Sequence, residues 1–234
     1  MLEIASLNAW YGRSHVVHDL TFDVARGEIL TLIGRNGAGK TTTMKAVMGL
    51  MATARGSVRF KGAELLTLPA HARFAKGLAY VPEDRRIVPG LTVRENLQLG
   101  LLKADKSIRE GAAIDEIAET FPRLKERLGQ IAVTMSGGEQ QMLAIARALI
   151  AKPAMLMLDE PSEGIMPILV EEMGQLFRKL RAQGVTLLLV EQNVEWALNL
   201  SDRAVIIDQG VIVHSSTAEA LAADPETQDK YCSV

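Results

Sequence analysis

The sequence has few of the residues that would place a protein outside the cell or on nucleic acid. It contains one cysteine in 234 residues, so no internal disulfide can form, which fits a reducing compartment. It has 26 Lys and Arg and 28 Asp and Glu, so its formal net charge is -2 and it lacks the excess of basic residues that nucleic-acid binding favours. We therefore expect no nucleic-acid partner.

Long hydrophobic runs are also absent. Apolar residues make up 48% of the chain, but runs such as 155–158 and 185–190 are short and end in acidic residues. A transmembrane helix needs about 18 consecutive apolar residues. The opening residues, MLEI, lack the basic segment and apolar stretch of a secretory signal. These absences predict a chain that stays in the cytoplasm and does not itself span the membrane.

Short apolar segments alternate with segments of helical spacing. Residues 28–33, 155–158 and 185–190 have the pattern of buried strands, and residues 40–50 and 171–183 that of amphipathic helices. This alternation is typical of a parallel sheet covered on both faces, with ligands at the carboxyl ends of its strands. The expected fold class is α/β.

Two parts of the chain depart from that alternation. Residues 16–24 and 57–60 alternate in polarity like antiparallel strands, and residues 208–210 predict a late hairpin turn. From about residue 94 to 151, two segments of helical spacing, 108–128 and 137–151, have no strand-like run between them. We expect a helical insert there.

Residues 34–41, Gly-Arg-Asn-Gly-Ala-Gly-Lys-Thr, match the phosphate-binding pattern G-x-x-x-x-G-K-[ST] between a predicted strand and a predicted helix. Glycines let the backbone wrap around phosphates, while N–H groups and the helix dipole point at them. Lys40 supplies a charge for the β- and γ-phosphates, and Thr41 a hydroxyl for Mg²⁺. A plain glycine-rich turn leaves Lys40 and Thr41 unexplained. The predicted nucleotide contacts are Gly34, Arg35, Asn36, Gly37, Ala38, Gly39, Lys40, Thr41 and Thr42.

About 120 residues further on, the segment MLMLDE places two carboxylates at the end of an apolar strand. Asp159 is the predicted Mg²⁺ partner. Because successive side chains of a strand point to opposite faces, Glu160 is expected to point away from Asp159. It is the predicted catalytic base, orienting a water in line with the γ-phosphate. The alternative is that Asp-Glu-Pro simply ends a strand at a helix start, and without the phosphate-binding loop that interpretation would be preferred.

Residues 135–141, Met-Ser-Gly-Gly-Glu-Gln-Gln, depart by one residue from the L-S-G-G-Q/E-Q signature of ATP-binding cassette (ABC) proteins. The chain resembles that family over essentially its whole length. Ser136 and Glu139 also form an S-x-x-E capping box, which needs no glycine. The two glycines in the first turn cost about 1 kcal/mol each relative to alanine, and close approach of the backbone to a phosphate would explain them.

The resemblance implies a single ABC ATPase domain over residues 1–234. Its RecA-like nucleotide-binding core and antiparallel β subdomain would comprise residues 1–87 and 152–234, and a helical subdomain residues from about 88 to 151. It also implies a head-to-tail dimer that holds two ATP molecules, each between one phosphate-binding loop and the opposing subunit's signature. The signature contacts would be Ser136, Gly137 and Gly138.

Other positions follow from the same resemblance. Tyr11 matches the aromatic residue that stacks on adenine, although ordinary strand packing is an alternative. Glu83 stands where the family usually has a glutamine and is predicted to contact Mg²⁺. Gln192 replaces the usual switch histidine; it is predicted near the γ-phosphate as a catalytic residue, and it stays neutral at every working pH. Residues 162–166 lack the usual aspartate.

These departures together resemble the smaller of the two ATPase subunits of branched-chain amino-acid and amide importers. The resemblance implies an ATP-hydrolysing motor subunit on the cytoplasmic face of the cell membrane. Its partners would be a second ABC ATPase subunit, identical or different, two membrane permease subunits and, indirectly, a periplasmic or extracellular solute-binding protein. A permease loop would bind the start of the helical insert, residues 88–102.

The alternative function is a cytosolic ABC ATPase without a transporter, of the iron–sulfur assembly or nucleic-acid repair type. Repair ATPases carry long coiled-coil insertions between the phosphate-binding loop and the signature, whereas only 136 - 40 = 96 positions separate Lys40 from Ser136 here. Co-purification with a permease would separate an importer subunit from an assembly ATPase.

Overall fold

A computed structural model describes residues 1–102, 104 and 107–232, apart from the side chain of Cys232. The strands are β1 Leu2–Tyr11, β2 Ser14–Val24, β3 Ile29–Ile33, β4 Thr53–Phe60, β5 Ala63–Glu64, β6 Leu78–Val81, β7 Met155–Asp159, β8 Thr186–Glu191, β9 Arg203–Asp208 and β10 Val211–Thr217. The α-helices are α1 Lys40–Met48, α2 Ala70–Ala75, α3 Val93–Leu99, α4 Glu110–Thr120, α5 Pro122–Lys125, α6 Gly137–Leu149, α7 Pro167–Ala182, α8 Val194–Leu200, α9 Ala218–Ala222 and α10 Pro225–Cys232, with a 3₁₀ turn at Ala132–Thr134.

A six-stranded sheet forms the centre of the fold, in the order β10-β9-β3-β8-β7-β6. All neighbouring strands are parallel except β10, which pairs antiparallel with β9. Strands β3, β7 and β8 are buried at every residue, as their continuous apolar character predicts. The α/β fold class expected from the sequence is therefore confirmed.

Alternate residues of the central strands pack on opposite faces of this sheet. On β8, Leu187 and Leu189 belong to a cluster with α4, α6 and α7. Leu188 and Val190 belong to a second cluster, with α1 and with the strands of the antiparallel sheet. The sheet is thus covered on both sides, which leaves the ends of its strands as the place for a ligand.

The second sheet is antiparallel, in the order β2-β1-β4-β5. The two strands predicted near residues 16–24 and 57–60 are present, but β1 lies between them and pairs with both. The sequence pattern of β1 is irregular because its register shifts between Ile4 and Leu7, where Ser6 has a φ of 49°. The predicted turn before β10 is also present, since Gln209 and Gly210 both have positive φ.

The segment between β6 and β7 contains helices α3 to α6. The segment of helical spacing predicted over residues 108–128 forms two helices, since α4 ends at Thr120 and α5 begins at Pro122. Phe121 between them has φ -123° and ψ 76°, because a residue that precedes proline is disfavoured in the helical conformation. In the described part of the chain, no helix combines the length and the apolar character needed to cross a bilayer.

Candidate nucleotide site

The carboxyl ends of three parallel strands meet at one edge of the six-stranded sheet. Ile33 of β3 pairs with Glu191 of β8, and Val190 of β8 pairs with Asp159 of β7. A cleft of about 460 Å³ opens at this edge. It is lined by Tyr11, Val16, Asn36, Gly37, Ala38, Gly39, Lys40, Thr41, Thr42, Glu83, Glu160, Glu163 and Gln192. The structure therefore brings most of the sequence-predicted site residues to one place.

The loop between β3 and α1 leaves the first turn of α1 without a protein cap. Gly39, at the N-cap, has a φ of 106°, and no side chain caps the helix. By contrast, Thr92 and Ser136 cap α3 and α6 through complete capping boxes. The first N–H groups of a helix have no intrahelical acceptor, and the helix dipole there favours an anion. The amino end of α1 is therefore suited to binding phosphate.

Lys40 is almost fully buried beneath this loop. Its Nζ donates to the carbonyl oxygens of Gly34 (2.7 Å) and Arg35 (3.1 Å), and lies 3.7 Å from Oε1 of Glu160. Burial lowers the pKa of Lys40, while the carboxylates of Glu160 and Asp159 act in the opposite direction. Gly34 and Arg35 do not line the cleft, and the Arg35 guanidinium donates to the Lys230 carbonyl. Their side of the loop holds Lys40 rather than facing the open space.

Asp159 lies below the cleft as an acceptor for two hydroxyls. Thr41 Oγ1 donates to its Oδ1 (2.9 Å) and the Tyr80 hydroxyl to its Oδ2 (2.8 Å). Burial raises the pKa of Asp159, and these two hydrogen bonds lower it. Burial also raises the pKa of Tyr80 far above its usual value. A hydroxyl and a carboxylate are oxygen donors of the kind that Mg²⁺ prefers, so the predicted Thr41–Asp159 pair fits that ion.

Glu83 lines the same cleft and belongs to a group of three carboxylates. It is exposed, and one oxygen from each of Glu83, Glu160 and Glu163 lies within 4.8 Å of the others. Of the three predicted Mg²⁺ ligands, Thr41 and Asp159 are hydrogen-bonded to each other, and Glu83 lies among these carboxylates. Glu163 is not among the residues predicted from the sequence, because residues 162–166 stand out there only as a departure from the family pattern.

Glu160 directly follows β7 and has left the strand conformation. Its φ of 48° is left-handed, so this conformation, rather than simple strand alternation, sets its direction. Its backbone N–H donates to the Val190 carbonyl (2.9 Å), and Nε2 of Gln192 donates to its Oε2. Burial raises the pKa of Glu160, with a further increase from Glu163 and opposing effects of Gln192 and Lys40. The two predicted catalytic residues are thus in direct contact.

Tyr11 ends β1 at the rim of the cleft. Its side chain is 49% exposed, so its ring is not an ordinary packing residue of the antiparallel sheet. A flat aromatic surface beside the phosphate-binding loop has the geometry needed to stack on a base. Stacking of Tyr11 on adenine stays a prediction.

The signature residues do not line this cleft. Ser136 and Glu139 form the predicted capping box at the start of α6, with Ser136 N–H donating to Glu139 Oε2 (2.9 Å). A Cβ on Gly138 would lie 2.2 Å from Cδ1 of Leu169, and one on Gly137 would lie 3.1 Å from a guanidinium nitrogen of Arg85. Both neighbouring atoms are ends of flexible side chains, which can move aside. These contacts therefore neither require glycine nor replace the predicted phosphate contact.

Comparisons with known proteins agree with this geometry. Residues 17–163 match the family described as ABC transporter. The high-affinity branched-chain amino acid transport ATP-binding protein BraG of Pseudomonas aeruginosa is 47% identical over 99% of this chain and 99% of its own length. The probable branched-chain amino acid transport ATP-binding protein LivF of Archaeoglobus fulgidus is 38% identical over 99% and 98%. A solved ATP-binding subunit of an ABC transporter superposes with a TM-score of 0.83 at 29% identity, covering 95% of this chain and 92% of that one.

Proposed function

The chain belongs to the ABC transporter family of ATP-binding proteins, and from this premise we propose that it is the ATP-hydrolysing subunit of an importer for branched-chain amino acids or related amides. The observation that carries the proposal is the uncapped amino end of α1, which opens into the same cleft as Lys40, Glu160 and Gln192. The cargo is inferred from the near full-length identity to BraG, which is named as a branched-chain amino acid transport protein.

In the proposed mechanism, the N–H groups at the start of α1 and the Lys40 ammonium bind the β- and γ-phosphates of ATP. Thr41, Asp159 and Glu83 would hold Mg²⁺. The ion supplies positive charge that offsets the negative charge on the phosphates. Tyr11 would stack on adenine at the rim.

Glu160 then accepts a proton from a water molecule as the water oxygen attacks the γ-phosphorus. The bond from that phosphorus to the bridging oxygen breaks, and ADP and inorganic phosphate form. A raised pKa makes the carboxylate of Glu160 a better proton acceptor. Gln192 holds one oxygen of Glu160 and thereby fixes the direction of the other.

We also propose that residues 1–234 form one ABC ATPase domain, with the helical subdomain from about residue 88 to 151. Ser136, Gly137 and Gly138 lie outside their own cleft, so they would contact ATP held by an opposing subunit. That subunit would be a second ABC ATPase, either another copy or a different chain. No nucleic acid takes part.

A second, mostly apolar groove of about 480 Å³ supports docking of a permease. The end of α1 borders it through Met48, with Leu50 just beyond, and α6 borders it through Ala144, Arg147 and Ala148. Leu99, Gly100 and Leu102 line it as well, within the segment expected to receive a permease loop. We infer that one permease subunit binds here and that a second permease subunit binds the second ATPase. This docking would hold the chain at the cytoplasmic face of the membrane and couple it to a solute-binding protein.

The proposed function is tested with the chain assembled with its permease and second ATPase in liposomes, where phosphate release is measured. We expect Mg²⁺-dependent ATP hydrolysis that rises several-fold when a solute-binding protein delivers leucine, isoleucine or valine. If the chain hydrolyses ATP but binds no permease, the assembly-ATPase alternative replaces the importer. If only an amide stimulates hydrolysis, the cargo changes and the motor role stands.

The groove gives a second prediction, which concerns Leu50→Glu. Leu50 is 45% exposed and lines the groove, so a carboxylate there should abolish co-purification with the permease while leaving ATP binding unchanged. Val211→Glu is the matched control, because Val211 is 41% exposed on β10 and does not line the groove. Equal permease recovery with both variants would show that the groove is not the docking site.

A further inference from the structure

Glu191 is a buried carboxylate that the proposed mechanism does not use. It is the last residue of β8, it is only 2% exposed, and it directly precedes Gln192. Burial raises the pKa of Glu191 to about 7, even though hydrogen bonds from neighbouring residues lower it. A carboxylate is costly to bury unless hydrogen bonds compensate, so its partners indicate what it does.

The partners of Glu191 lie on the two segments that form the catalytic end of the cleft. Its Oε1 accepts the backbone N–H of Ser162 (3.0 Å), and its Oε2 accepts the Ser162 hydroxyl (2.8 Å). Oε2 also accepts the backbone N–H of Gln192 (3.2 Å). Ser162 follows Glu160 by two residues. One buried carboxylate therefore connects the segment that carries Glu160 to the segment that carries Gln192.

The segment that carries Glu160 needs such support. A non-glycine residue in the left-handed region costs about 1 kcal/mol or more and persists only where its surroundings impose that conformation. On one side, the N–H of Glu160 donates to the Val190 carbonyl; on the other, its carbonyl accepts the N–H of Glu163 (3.2 Å). Glu191 fixes Ser162, the residue between Glu160 and Glu163 that has two hydrogen bonds to β8.

We propose that Glu191 is a positioning residue for ATP hydrolysis, whose carboxylate fixes Ser162 and thereby holds Glu160 within hydrogen-bonding reach of Gln192. This inference rests on the proposed function, since it assigns the positioning of the same reacting groups. Reacting groups must be held closely in place, and small displacements lower the turnover number more than they lower substrate binding. The phosphate-binding loop is built from a different segment, so a change in the Glu191 side chain should affect turnover more than ATP binding.

The test compares kcat and KM for ATP in Glu191→Ala, Glu191→Gln and Ser162→Ala, in the assembled transporter. We expect Glu191→Ala to lower kcat by about tenfold or more with KM changed by less than about twofold. Glu191→Gln should restore part of kcat, because its amide oxygen still accepts the Ser162 N–H. Ser162→Ala removes only the hydrogen bond from the hydroxyl, so it should lower kcat less than Glu191→Ala. Combining the two should lower kcat no further than Glu191→Ala alone, because that variant has already lost the same hydrogen bond.

Thr186→Val is the matched control for a general loss of stability. Thr186 is fully buried at the opposite end of the same strand, roughly 16 Å away at about 3.3 Å per residue, and its hydroxyl accepts the Gly27 N–H (3.0 Å). Thermal unfolding is measured for every variant. Thr186→Val should lower the unfolding temperature but keep kcat.

The inference is wrong if Glu191→Ala keeps the parent kcat, or if Thr186→Val loses as much kcat for the same loss of unfolding temperature. If Glu191→Ala does not fold, Ser162→Ala decides: a parent-like kcat overturns the inference, and a reduced kcat with unchanged KM supports it. A parent transporter without ATP hydrolysis would overturn the proposed function together with the inference. An active parent with an unaffected Ser162→Ala and Glu191→Ala overturns the inference alone.

Discussion

Glu160→Gln should reduce ATP hydrolysis by about 100-fold or more while ATP still binds, because an amide of the same shape cannot accept a proton from water. The amide oxygen of the variant can still accept the hydrogen bond from Gln192. The phosphate-binding loop is unchanged. ATP should therefore remain bound, and any dimer closed around ATP should last longer than in the parent. Phosphate release reports the rate, and light scattering with ATP and Mg²⁺ reports the dimer.

Glu171→Gln is the control for this variant, since Glu171 is an exposed carboxylate on α7 that does not line the cleft. It should hydrolyse ATP at the parent rate. If Glu160→Gln also hydrolysed ATP at that rate, another group would have to take the proton, and the assignment of Glu160 as catalytic base would be wrong.

Lys40→Ala should weaken ATP binding by about 10- to 100-fold, because a hydrogen bond between an ammonium and a phosphate contributes about 1.5–3 kcal/mol. The substitution also leaves the carbonyls of Gly34 and Arg35 without their donor and removes the cation beside Glu160. The N–H groups of α1 remain, so some affinity should persist. Titration calorimetry with ATP, in the presence and absence of Mg²⁺, measures the change.

Lys179→Ala serves as the comparison for Lys40→Ala. Lys179 is exposed on α7, so its loss removes a positive charge without touching the cleft, and ATP affinity should stay the same. Loss of affinity in both variants would point to the overall charge of the protein. Unchanged affinity in Lys40→Ala would refute the phosphate-binding role of Lys40.

The parts of the site that follow directly from strand endings could be predicted from the sequence. Asp159 and Glu160 end an apolar run, and Lys40 opens a helix after another, so the rule that ligands bind at the carboxyl ends of parallel strands places them together. Glycine-rich spacing in the loop is local in sequence and needs no knowledge of the fold. These predictions depend on short stretches of chain. The structure brings Lys40 and Glu160 to one cleft, whereas Gly34 and Arg35 of the loop do not line it.

The residues that the sequence did not reveal depend on which strands are neighbours. Tyr80 reaches Asp159 because β6 lies beside β7, and Glu191 reaches Ser162 because β8 lies on the other side of β7. Hydrophobic periodicity indicates a strand but not its position in the sheet. A short strand at residues 78–81, had it been recognised, would have placed Tyr80 at the same edge.

The signature glycines show the limit of an argument from local helix stability, and their phosphate contact stays a prediction. Glycine lowers the stability of a helix relative to alanine. In this chain, Gly138 lies against the Leu169 side chain and Gly137 against the Arg85 guanidinium. Contacts between α6 and residues distant in sequence cannot be read from a capping pattern. The phosphate contact of Gly137 and Gly138 therefore depends on the proposed dimer and not on composition.

Helices α1 and α6 each begin at a predicted ATP contact. Helix α1 ends at the apolar groove, and the second half of α6 runs along it. Each helix can therefore transmit a movement from the ATP site to the groove. At 1.5 Å per residue, the 13 residues of α6 span roughly 20 Å. A rigid arm of that length that pivots by about 10° moves its far end by roughly 3 Å, about the width of one atom. If the start of the helix moved by about the width of one atom as it closed on a phosphate, the helix could turn as a rigid body. Its far end at the groove would then move by a similar distance, and the helix itself would not change shape.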